Sequence, residues 1–122
     1  MNLIKVFLAF SFMIIRITFA HGLNESDKLV NIISYEAMLE MKNNYGLKTI
    51  GFGQKYDKDI VKTISLKFTL KEILSKRDAR ILLLKCSEDF LKKINCFKEI
   101  QPFLANHPFN EENIELSIFF CS

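Results

Sequence analysis

Apolar and polar positions along this 122-residue chain repeat first with a helical period and then with a strand period. Residues 24–44 place Leu29, Ile32, Ile33, Glu36, Leu39 and Glu40 at helical spacing, and Val30, Ala37, Met38 and Met41 widen the apolar face. That spacing predicts an amphipathic helix. Asn24 or Ser26 can cap its start, and Tyr45-Gly46 is a stop signal. Leu47 to Phe52 reads as a short strand, followed by a polar turn over Gln54–Asp59. Ile64, Leu66, Phe68 and Leu70 then alternate with Ser65, Lys67 and Thr69, the pattern of a strand with one wet face.

A second helix begins after Leu74. Ser75 is its expected cap, with Asp78 three residues later. Its apolar stripe is Ala79, Leu83, Cys86, Phe90, Ile94 and Phe97, extended by Leu82 and Leu91, and it ends near Asn95. Pro102 and Pro108 keep the next stretch irregular. Ile114, Leu116 and Ile118 define a last strand, and Phe119-Phe120 suggests burial on both faces at its end. The expected class is α+β, with the order helix-strand-strand-helix-strand. A three-stranded mixed sheet should carry two helices packed on one face, with the last strand parallel to the second and a strand order of 2-1-3.

Residues 1–20, MNLIKVFLAFSFMIIRITFA, stand apart. Lys5 precedes an apolar run from Val6 to Ile15, and Thr18-Phe19-Ala20 supplies small residues at a cleavage position. This is the pattern of a secretory signal peptide, cleaved between Ala20 and His21. The run is shorter than the ~20 residues that span a bilayer. Arg16 is untypical, and it keeps an uncleaved anchor as the alternative. The expected mature chain is a single α+β domain over residues 21–122. It has no membrane span and is exported to a periplasm or secreted.

Charge adds little once the leader is removed. The full chain carries +3, of which Lys5 and Arg16 supply two charges, so residues 21–122 carry +1. No basic run accompanies this weak excess, so a nucleic-acid partner is not expected. Cys86, Cys96 and Cys121 are odd in number. Cys86 and Cys96 would lie about 15 Å apart on one helix, too far to bridge. Cys86 falls on the apolar stripe and reads as a small buried residue.

Catalytic chemistry finds little support. No G-x-S-x-G occurs, and Gly51-Phe52-Gly53 lacks the residues of a phosphate loop. Glu88-Asp89, Glu111-Glu112, Lys76-Arg77 and Lys92-Lys93 read as solvated surface, with Asn110 able to cap a single turn before Glu111. No catalytic, cofactor or metal residues are assigned. One alternative is a small envelope metal-binding protein or enzyme using His21, as the new N-terminus, and His107. The preferred reading is a non-enzymatic protein that binds a protein partner. Phe103, His107 and Phe109, in the aromatic loop from Ile100 to Asn110, are its candidate contacts.

The segments ARILLLKCSEDFLKKIN and EIQPFLANHPFNEENIELSIFF carry a resemblance. The chain over residues 60–120 resembles an uncharacterised family of small exported proteins from intracellular, chlamydia-like and Legionella-like Gram-negative bacteria. The matching features are A-R-x-L-L at Ala79-Arg80, F-L-x-x-I-N over Phe90 to Asn95, and P-F-x-x-E-N-I over Pro108 to Ile114. Gln101 and His107 depart from the Arg and Tyr that the pattern leads one to expect. The resemblance implies export and a single domain, and it transfers no catalytic residue.

Overall fold

The computed structural model describes residues 25–121. Helix α1 (Glu25–Tyr45) is followed by strands β1 (Lys48–Asp57) and β2 (Ile60–Leu70), helix α2 (Lys76–Cys96) and strand β3 (Ile114–Phe120). Two 3-10 turns, Lys98–Phe103 and Glu111–Asn113, fill the passage from α2 to β3. The architecture is α+β: a three-stranded mixed sheet with two helices. The predicted signal peptide, its cleavage position, Asn24 and His21 lie outside the described residues.

Helix α1 buries Val30, Ile33, Ala37 and Met41, a 3-4-4 spacing that keeps one stripe on the sheet. This corrects the expected stripe, because Ile32 and Leu39 are exposed and Glu36 and Glu40 face solvent beside α2. Ser26 is buried inside the first turn and is not the cap. Gly46 ends the helix at φ 71°, a left-handed conformation that a residue without Cβ adopts at no steric cost. Its N–H donates to the Lys42 carbonyl at 3.0 Å, and the Leu47 N–H donates to Met41 at 3.3 Å. The chain thus turns sharply and drops Leu47 into the core.

Helix α2 starts where expected. The Asp78 N–H donates to Ser75 Oγ at 3.1 Å, and Cys86, Phe90 and Ile94 are fully buried. At its C-terminus, Gln101 Nε2 donates to the Ile94 carbonyl at 2.9 Å and to the Phe97 carbonyl at 3.1 Å. Each carbonyl also accepts a backbone N–H, Ile94 from Phe97 at 3.2 Å and Phe97 from Ile100 at 3.4 Å, so Gln101 adds a second donor at the helix end.

The strand order is β1-β2-β3, which corrects the expected 2-1-3. The strand with the clean buried face takes the centre. Ile64, Leu66, Phe68 and Leu70 all lie under the helices, whereas β1 has no buried residue. β1 and β2 pair antiparallel, and β2 and β3 pair parallel in the register Ile64–Ile114, Leu66–Leu116, Phe68–Ile118. The other face carries Ser65, Lys67, Glu115 and Ser117. Across it Lys55 pairs with Glu115 at 3.5 Å.

Two further expectations change. The polar stretch after Phe52 is strand as far as Asp57, and the turn shrinks to Lys58-Asp59, with Lys58 at φ 59°. Phe119 and Phe120, expected to be buried, are 51% and 36% exposed. β3 is an outer strand, and among the described residues its end is only partly covered.

Candidate functional site

The loop that the sequence singles out is largely structural. Phe109 is 2% exposed and sits in the core, while Phe103 is half-buried against it. Asn95 clamps the Phe109 backbone from α2: Phe109 N–H donates to Oδ1 at 2.9 Å, and Nδ2 donates to the Phe109 carbonyl at 3.0 Å. His107 is exposed and precedes Pro108 through a cis peptide. The loop therefore brings Phe103 and Phe109 inward and leaves His107 alone at the surface.

Asn113 anchors the same region. It is 7% exposed, and its Nδ2 donates to the Lys62 carbonyl at 3.1 Å. Its Oδ1 accepts from Asn106 Nδ2 at 2.9 Å and from the Asn110 N–H at 3.0 Å. Asn110 in turn caps the short turn by accepting from the Glu112 N–H at 2.9 Å. Glu111 is exposed, and its neighbour Glu112 is too.

The titratable groups are equally structural. Burial pushes the Cys86 thiol up to about 11, with the Asp89 carboxylate adding to the shift. A thiol held protonated is a poor nucleophile. Tyr45 donates to Asp89 Oδ2 at 2.6 Å, and that bond, with burial, raises its hydroxyl to about 12. Tyr56 is raised by burial and by its hydrogen bond to Asp27. Lys93 joins the two helices, pairing with Glu40 and lying 3.9 Å from Glu36. Cys96 and Cys121 are free and exposed. Among the described residues, no group of three or more His, Cys, Asp or Glu side chains is placed to hold a metal ion. None of their helices is long and apolar enough to cross a membrane.

A different surface gathers five of the exposed large hydrophobic residues. Between α1 and β1, an outer strand among the described residues, lies an open groove lined by Tyr35, Met38, Leu39, Ile50 and Phe52, and Ile32 extends it along the helix. Ile32, Tyr35, Leu39, Ile50 and Phe52 are between 44% and 63% exposed. On α1 they form a second stripe, at 32, 35 and 39, beside the buried one.

On β1 the geometry comes from a bulge. Thr49 pairs with Phe68 and Gly51 with Lys67, so Ile50 is the extra residue. Two residues then oppose one, and the strand resumes its alternation with Phe52 opposite Leu66. Phe52 is thereby on the helix side, yet beyond the reach of the core. Sequence reasoning missed this site because it merged the two stripes of α1 into one wide face. The signal available was the excess width of that face, with Phe52 set between two glycines.

Searches against protein-family models, curated proteins and solved structures found no match to this chain. The groove and the edge strand are therefore read from their own chemistry.

Proposed function

We propose that this chain is an exported, non-enzymatic binding protein whose contact face is the groove between α1 and β1. The observation that carries this reading is the clustering of five large, half-exposed apolar side chains on one side of an edge strand. Scattered surface hydrophobics need no explanation, whereas a contiguous patch on the order of 500 Å² is towards the upper end of what a monomer exposes, and such patches are often functional. The outer edge of β1 adds main-chain donors and acceptors to that patch, which suits it to a protein partner. Export to a periplasm or beyond is supported by the pattern of residues 1–20, and the resemblance over residues 60–120 points the same way. The contact face moves from the loop of Phe103, His107 and Phe109 to the groove, because two of those rings support the core.

Two measurements test this. A photo-crosslinking residue at position 52 should give protein adducts in the producing cell, and one at position 107 should not. Adducts from position 107 with none from position 52 would return the contact face to the loop. Mass analysis of the N-terminus after cell fractionation should find a chain beginning at His21 outside the inner membrane. An intact Met1 in the cytoplasm would remove export. The metal-binding alternative predicts stoichiometric uptake, probed with copper, by a chain starting at His21 that is lost in His107→Ala.

A further inference from the structure

Resting on the reading of the groove as a contact face, we propose that its occupant is a second copy of this chain. The β1 strands pair antiparallel across a two-fold axis at Gly53. Three observations converge on this arrangement: the charge pattern of β1, the area of the patch and the spacing of the apolar residues on α1.

The charge pattern fixes the register. Two antiparallel strands joined into one continuous sheet keep their faces, so helix-side residues oppose helix-side residues. On β1, Thr49, Ile50, Phe52, Gln54 and Tyr56 are helix-side, while Lys48, Gly51, Gly53, Lys55 and Asp57 are on the other face. With Gly53 opposite Gly53 of the copy, Gly51 meets Lys55 and Phe52 meets Gln54. The bulged pair Thr49-Ile50 together meets Tyr56, and Lys48 meets Asp57. Each dimer then gains two opposite-charge pairs, one at each end of the ribbon. Shifting by one step, so that Phe52 opposes Phe52, places Lys48 against Lys55 twice, an arrangement disfavoured by like charge. Shifting the other way, with Gln54 opposite Gln54, carries both ends of the pairing out of the strand. The lysines that guard the edge against general pairing thus select one register.

The area is sufficient. Five side chains about half exposed offer on the order of 500 Å² per copy at the 150–250 Å² of a large apolar group. Two copies reach the roughly 1,000 Å² that a specific interface requires, before the strand backbones are counted. The helices supply the cover. Ile32, Tyr35 and Leu39 recur at i, i+3 and i+7 along α1, and the two-fold axis brings the stripes of both copies over the joined strands. Phe52 of each copy lies diagonal to the other beneath them, within reach for an aromatic ring.

The test is disulfide trapping of the full expressed protein with Cys96→Ser and Cys121→Ser in the background. A Cβ at Gly53 meets Ser65 Oγ at 3.4 Å, and one at Gly51 meets Lys67 Cδ at 4.0 Å, so both sites accept cysteine. Under mild oxidation Gly53→Cys should yield a covalent dimer. Gly51→Cys should not, because its copies lie four residues apart along the ribbon, about 13 Å. Light scattering should give twice the chain mass for the parent protein and the chain mass for Phe52→Lys, with unchanged circular dichroism. A monomer at every concentration overturns the proposal, as does equal trapping at both sites. If a crosslinker at position 52 captures another protein or the chain's own residues 1–24, the second copy is also overturned, while the groove remains a contact face. No adduct at position 52 removes both readings.

Discussion

Asn95 and Asn113 are the residues on which the irregular stretch before β3 depends. Each spends both ends of its amide on backbone groups or on other amides that have few alternatives nearby. Removing such a side chain leaves buried donors and acceptors unpaired, at about 1–3 kcal/mol. Asn113→Ala should therefore lower stability in urea by about 2 kcal/mol. Glu111→Ala, on the exposed part of the same turn, should change it by less than about 0.5 kcal/mol.

Cys86 makes a pH-dependent prediction. Its folded value of about 11 lies above its ordinary 9.0, so the unfolded chain releases the proton first. Stability is complete below pH 9 and is lost as pH rises towards 11, by on the order of 2 kcal/mol from this group. Tyr45, raised from 10.0 to about 12, acts in the same direction at slightly higher pH. Urea midpoints measured from pH 8 to 11 should fall, and Cys86→Ala should flatten the part between 9 and 11. A slope unchanged by that substitution would place the titration elsewhere.

At the scale of elements, the two aromatic residues Phe52 and Phe68 separate binding from stability. Phe68 is fully buried in the central strand, and truncation to Ala should cost about 3–5 kcal/mol. Phe52 sits on the edge strand with half its surface in water, and Phe52→Lys should leave the urea midpoint of the isolated chain nearly unchanged. Similar losses from both would make Phe52 part of the core.

Helix α2 was legible because its signals agree: Ser75 caps, the stripe of Cys86, Phe90 and Ile94 has the helical period, and the prolines lie beyond the end. β1 was legible only in its first half. Gln54 to Asp57 has no apolar alternation, and its pairing is imposed by β2 across the turn. The turn itself uses Lys58 at positive φ, where glycine or asparagine would have announced it. The groove was hidden for a related reason. Periodicity marks every apolar stripe on α1 alike, and only the position of the sheet decides that 30, 33, 37 and 41 are covered while 32, 35 and 39 are not.

For the whole molecule, the asymmetry of the sheet is what matters. β2 is paired on both sides and buried by both helices, and β1 and β3 end the sheet on either side. Among the described residues β1 and β3 are the outer strands, and the groove beside β1 is lined by the exposed α1 stripe of Ile32, Tyr35 and Leu39. Hydrogen exchange tests that asymmetry directly. Spectra of the purified protein should be compared at concentrations a thousandfold apart. If β1 pairs with a second copy, exchange should slow with concentration across residues 48–57 and along the Ile32 to Leu39 part of α1, while residues 114–120 are unaffected. Slowing confined to residues 114–120, or no concentration dependence in residues 48–57, would contradict it.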